Sequence, residues 1–237
     1  MFGSAFSLIE LSLISFKPVM VAFYRVSIAA LILYIYSYYK KYSFNFFKDN
    51  FKLLFILALT GTSLPFYLIS WAQVTITSSE TGILIGFMPL FTIIGSHYYF
   101  KYESLNFNKI FGFSIGFIGL LILSFHNENN FTIYGNFLAK FAVILGAFFY
   151  ALNALLVKKI KDVHAIPLSA SVMLLSSLQL FVCIQLFDNN GFIIQKFEFI
   201  SIISILFMGI FSTAIATVIY YKIIHDYGPS FLSLVNY

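Results

Sequence analysis

The sequence predicts an all-α integral membrane protein built as an inverted repeat of two five-helix units. Three observations carry that prediction: the composition, the lysines between the apolar runs, and an internal similarity at a fixed offset. Of the 237 residues, 60% are hydrophobic and 10% charged, with 31 Phe and 16 Tyr, and the mean hydropathy is +0.92. A water-soluble domain does not carry that balance. A spanning helix takes roughly 20 apolar residues, whereas a barrel strand shows alternating segments of about 10. The apolar runs here are long, so helices span.

Punctuation by Lys, Asn, Asp, Pro and Gly divides the chain into apolar runs at 2–16, 18–39, 53–73, 81–100, 107–125, 136–157, 167–187 and 199–221, with a stub at 229–237. The first run and the stub reach only about 24 and 13 Å, against a hydrocarbon core of about 30 Å. The expectation is a chain cut at both ends, leaving about eight full helices with partial first and ninth helices. No Lys or Arg precedes Lys17, so the start lacks the cationic segment of a signal peptide. Lys40, Lys41, Lys48, Lys52, Lys101, Lys109, Lys158, Lys159, Lys161 and Lys222 follow the even-numbered runs, and only Lys17 and Lys196 follow the odd-numbered ones. By the positive-inside rule the loops after runs two, four, six and eight are cytoplasmic. Topology therefore accounts for the formal charge of +5, and no nucleic-acid partner is expected. Cys183 is the one cysteine, so neither a disulfide framework nor a Cys metal site is expected.

A shift of 150 positions lays Thr62-Ser63 on Ser212-Thr213 and Leu84-Ile85 on Leu234-Val235, and a shift of 143 lays Gly3-Ser4-Ala5-Phe6 on Gly146-Ala147-Phe148-Phe149. The units are then 1–126 and 135–237, joined by an extracytoplasmic loop at 127–134. Five helices per unit is an odd number, so the two units enter the membrane with opposite orientation. That arrangement points to an inverted-repeat transporter.

Gly3-Ser4-Ala5-Phe6, Phe23-Tyr24-Arg25, and Gly82-Ile83-Leu84-Ile85-Gly86-Phe87-Met88-Pro89-Leu90 stand in an order that resembles EamA-type proteins of the drug/metabolite transporter superfamily. Tyr102-Glu103-Ser104-Leu105, the ladder Gly112, Gly116 and Gly119, Ala151-Leu152-Asn153 and Gly228-Pro229-Ser230 extend the resemblance over nearly the whole chain. It implies ten helices in two five-helix units with both termini cytoplasmic. Against that pattern the second unit ends before its counterpart of Pro89, and Glu10 stands where many relatives carry a basic or neutral residue.

Charges inside apolar runs are expensive, about 2.5 to 3.5 kcal/mol at a helix centre on translocon scales, which makes each a functional candidate. Glu10 and Arg25 lie on consecutive antiparallel runs, both about 9 to 10 Å below the outer boundary. They are expected to pair, either gripping a charged substrate group or fixing two helices structurally. Lys140, near the outer start of its run, is expected to snorkel to the headgroups. Pro65 and Pro89 fall mid-run and free the carbonyls of Gly61 and Ile85, and such helix breaks are candidate gating points. Thr62, Ser63, Ser212 and Thr213 are candidate substrate contacts, or else bridges to neighbouring helices. Tyr67, Trp71, Tyr150 and Asn153 are weaker candidates for the same cavity. Gly82, Gly86, Gly112, Gly116 and Gly119 are expected to let runs four and five approach closely.

The chain lacks a His-Glu-x-x-His helix, paired intramembrane aspartates and a phosphate-binding Gly-x-x-x-x-Gly-Lys loop, so neither proteolysis nor nucleotide hydrolysis is expected. The function expected is a secondary carrier of small amphipathic, amino-acid-like metabolites across the bacterial inner membrane. Its partners are the lipid bilayer, a small-molecule substrate and, as candidate coupling ion, protons; no cofactor or metal is implied. The rival readings are a non-transporting scaffold subunit and a lipid-flipping carrier.

Overall fold

The computed structural model describes residues 2–99, 111–112, 115, 118–119, 137–160, 163–187 and 196–233. Regular structure among them is helical throughout. The order is α1 (Phe2–Leu13), α2 (Pro18–Tyr39), the single turn α3 (Phe46–Asp49), α4 (Phe51–Ala58), a π-helical stretch Leu59–Ser63 and α5 (Leu64–Ala72). Then come α6 (Ser78–Ile85), α7 (Met88–Tyr99), α8 (Phe137–Val157), α9 (Ala165–Phe187), α10 (Phe199–Phe207), a second π-helical stretch Met208–Ile215, α11 (Ala216–Tyr227) and α12 (Pro229–Ser233). The predicted runs reappear with small shifts at their ends. The eighth is longer than expected, a continuous span Phe199–Tyr227. Most of run 107–125 and the loop 127–134 lie outside the described residues, as do Gly116 and Glu103.

Local chemistry sets the boundaries. Pro18 occupies the first turn of α2, where its missing N–H is no loss, and Lys17 before it is extended. α6 starts on a complete capping box. The Thr77 hydroxyl accepts from the Glu80 N–H at 3.2 Å, and the Thr77 N–H donates to Glu80 Oε2 at 3.2 Å. Thr77→Ala should destabilise the protein by about 1 kcal/mol and Thr77→Ser should not, read as the midpoint of unfolding by sodium dodecyl sulfate in mixed micelles. α11 ends at Gly228, whose φ of 91° is open to glycine and strained for other residues, and Pro229 bars continuation.

Among the described residues six spans are long and apolar enough to cross a membrane: Pro18–Tyr39, Phe51–Ala72, Ser78–Tyr98, Phe137–Val157, Ala165–Phe187 and Phe199–Tyr227. About half of each is buried, and the outward remainder is apolar, as at Leu31, Ile35, Phe181, Leu186, Ile200 and Phe207. Faces of that kind are at home against lipid tails and would aggregate in water. α2 and α9 form the central helix pair. Around it, α5, α6 and α7 pack on α8, α4 packs on α9, the second π-helical stretch packs on α2, and α1 packs on α10 and α6.

Close helix approach falls on glycines outside the predicted ladder. A Cβ on Gly61 would come within 2.5 Å of Asn153, and one on Gly209 within 2.7 Å of Ile28 and 3.3 Å of the Arg25 carbonyl oxygen. Gly82 faces Phe6 of α1 at ordinary contact distance, 3.7 Å, and among the described residues nothing lies within 4 Å of a Cβ placed on Gly112 or Gly119. Most of run 107–125, the expected partner of Gly82 and Gly86, lies outside the described residues. Gly86 instead marks a break, since Gly86 and Phe87 form a turn between α6 and α7 just before Pro89.

Candidate functional site: a polar cluster inside the helix bundle

The two π-helical stretches lie at corresponding places in the third and eighth runs, and a shift of 150 carries 59–63 onto 209–213, inside the second stretch. In each, the hydrogen bond reaches back five residues, from the Leu64 N–H to the Leu59 carbonyl and from the Ala216 N–H to the Phe211 carbonyl. A π-turn widens the helix and loosens the α-helical pairing of nearby carbonyls, which other groups then satisfy.

Side chains from α8 and α9 supply those groups around the first stretch. Asn153, 1% exposed, donates from Nδ2 to the Leu57 carbonyl at 2.9 Å. Gln179 donates from Nε2 to the Phe55 carbonyl at 3.0 Å and accepts from the Ser63 hydroxyl at 2.7 Å. Ser176 donates to the Ala58 carbonyl at 3.1 Å and shares a hydrogen bond with Thr62. Tyr220 of α11 completes the layer, donating to Asn153 Oδ1 at 3.2 Å. Thr62 and Ser63 thus bridge to α9.

The second stretch is bridged differently. Arg25, 4% exposed on α2, donates from Nε to Thr213 Oγ1 at 3.1 Å, and its guanidinium carbon lies 3.8 Å from the centroid of the Phe66 ring. Phe66 also meets Tyr150 edge to face, with centroids 6.3 Å apart. Arg25, Thr213, Phe66 and Tyr150 therefore form one group contributed by four of the spans. Phe66 does not stand out in the sequence, where 31 phenylalanines hide any one. Ser176 and Gln179 were also missed, although polar residues inside run 167–187 were a usable signal.

The expected Glu10–Arg25 pair is not formed. Arg25 turns inward, while Glu10 is exposed on α1 along a stripe with Ser4 and Ser7. Equal depth fixed the height of the two charges but not the direction each faces around its helix. Lys140 is corrected as well. It pairs with Glu80 of α6 at 3.4 Å, with the two side chains only 12% and 10% exposed, instead of reaching outward to the headgroups. Trp71 points outward at 41% exposure, and Tyr67 is half-buried against the core. Ser212 and Pro65 are buried in their helices, and Pro89 is buried beside the Gly86–Phe87 turn. A separate apolar cavity of about 300 Å³ lies between α7 and α8, lined among others by Phe91, Ile94, Tyr98, Phe148, Leu152 and Leu155. Among the described residues no group of His, Cys, Asp and Glu is placed to hold a metal ion.

Comparison with known proteins agrees with this architecture. An uncharacterized transporter of Archaeoglobus fulgidus is 27% identical over 215 residues, covering 89% of this chain and 72% of its own. A protein of known crystal structure superimposes with a TM-score of 0.74 at 13% identity, covering 99% of this chain and 82% of that one, a likeness of fold alone. The EamA-like transporter family matches residues 1–125. That is more than half of the 237 residues, and it takes in α1 to α7 with Arg25, the three hydroxyls of the first π-helical stretch and the α6–α7 break: the chain belongs to the EamA-like transporter family.

Proposed function

We propose that the protein is a secondary carrier that moves small amphipathic, amino-acid-like metabolites across the bacterial inner membrane by alternating access. The observation that carries this reading is the cross-bracing of two π-broken spans at the 150-residue offset, each held by the second helix of the opposite unit. Mirrored breaks near the membrane midplane are where inverted-repeat carriers place substrate and where one unit rocks against the other. The Gly86–Phe87 break with the buried Pro89 supplies a third discontinuity, a place for α6 and α7 to bend independently. The lysine distribution supports cytoplasmic loops after the even-numbered runs, and the drive is a gradient of substrate or protons.

Reconstitution into phosphatidylcholine liposomes, with counterflow of a labelled amino-acid mixture, tests the reading. Exchange above protein-free vesicles is expected, and its absence for the folded protein would leave a non-transporting scaffold. Glu10, on the polar stripe of α1, is proposed to serve the transport cycle without Arg25 as partner. Glu10→Gln should lower counterflow at least about tenfold, the scale of a lost interaction of about 1.4 kcal/mol, with expression and unfolding midpoint unchanged. Full activity in that variant would remove Glu10 from the cycle.

A further inference from the structure

We infer that Arg25 is an oxyanion receptor, so that the solute taken up by this bundle carries a carboxylate or phosphate group on an otherwise apolar or aromatic body. The inference rests on the carrier reading above and narrows its substrate class. Arginine has five N–H donors in a rigid planar fork. Among the described residues only the Nε–H of Arg25 has a hydrogen-bond acceptor, Thr213 Oγ1, and no carboxylate pairs with Arg25. The guanidinium is therefore held but not satisfied. Thr213 fixes its Nε edge and Phe66 covers one face. What remains is the end-on edge formed by the two Nη groups, the geometry that takes both oxygens of a carboxylate or two of a phosphate.

The other half of the molecule shows that bracing alone does not call for a charge. At the first π-helical stretch the same job, joining a π-turn hydroxyl to a helix of the opposite unit, is done by the neutral Gln179 and Ser176. Gln179 spends its amide on the Phe55 carbonyl and the Ser63 hydroxyl. Among the described residues Arg25 has no second acceptor, and a largely buried cation without a carboxylate partner suits a place where an anion is to be received. The aromatic rings around it, Phe66 and Tyr150, suit the apolar part of such a solute.

The test uses the full chain in phosphatidylcholine nanodiscs and reads the thermal unfolding midpoint against ligand concentration. The probes are 3-phenylpropionate against its amide and phenyl phosphate against its dimethyl ester. At least one anion should stabilise the protein with saturation while its neutral counterpart does not. Arg25→Gln, which places at this site the neutral amide that Gln179 brings to the other, should weaken that response roughly tenfold or more. Repeating the titration with phosphatidylglycerol in the disc separates sources. Loss of the probe response in the wild type assigns the same receptor to a lipid headgroup, and an unchanged response assigns it to the solute. No response to either anion, or an equal response in Arg25→Gln, overturns the inference. If Arg25→Gln does not fold, Phe66→Leu removes the stacked ring instead, and an unweakened anion response in that variant overturns it too. Counterflow of anionic solutes with undiminished rate in Arg25→Gln would sink the receptor and leave the carrier standing. Arg25-dependent anion binding without any counterflow would do the reverse.

Discussion

Asn153→Leu should destabilise the protein by about 1 to 3 kcal/mol, because it strips the Leu57 carbonyl of its side-chain donor and leaves the Tyr220 hydroxyl only its longer contact, 3.4 Å, with the Tyr150 carbonyl. The Leu57 carbonyl loses its donor and the Tyr220 hydroxyl loses the acceptor Asn153 Oδ1, in surroundings where Asn153 itself is 1% exposed. A buried polar group stripped of its partner costs about 1 to 3 kcal/mol. Leucine also branches where Gly61 allows a planar amide to lie against the backbone of the first π-helical stretch. Asn153→Asp keeps the shape but sets an unpaired carboxylate against the Leu57 carbonyl, and should cost at least as much as leucine. Denaturant titration in mixed micelles reads all three. A leucine variant as stable as wild type would show that the amide is not what closes this part of the bundle.

Gly209→Val should be the most damaging of the glycine substitutions, by about 2 to 3 kcal/mol, the upper part of the usual range for overpacking. Its Cβ would meet the branched Cβ of Ile28 at 2.8 Å and the Arg25 carbonyl oxygen at 3.3 Å, neither of which can swing aside. The contrast is Gly95→Ala, where the clash is with the terminal Cδ1 of Leu155, a rotatable methyl beside the apolar cavity. That variant should lose less than about 1 kcal/mol. Equal losses would mean that helix α2 and the second π-helical stretch have more freedom to separate than their contacts indicate. The valine variant should also weaken any Arg25-dependent ligand response, since it presses on the backbone that positions the guanidinium.

The spans were readable because each is a property of neighbours in sequence: twenty apolar residues, a proline at the start, lysines beyond the end. Pro18 and Tyr39 bound α2 where the run was drawn. The candidate site was only partly readable, because its bonds join residues far apart in the chain. Arg25 stood out as a charge in an apolar run, but Thr213, 188 positions away, is its partner, and the nearer Glu10 is not. The repeat offset did place Thr62-Ser63 opposite Ser212-Thr213, yet no periodicity announces that a helix will open into a π-turn there. Nor could depth along the axis say which way a side chain faces. Each residue turns about 100° around the helix, so an error of one position moves a group to another face.

Each π-helical stretch is, in effect, an insertion that the fold has kept. An ideal α-helix through 59–63 would need one residue fewer, and removing it would swing everything downstream by about 100°. Phe66 would leave Arg25, and the face of α5 that packs on α8 would turn toward lipid. A single-residue deletion within this segment is thus a change of partner for the 9 residues of α5 at once.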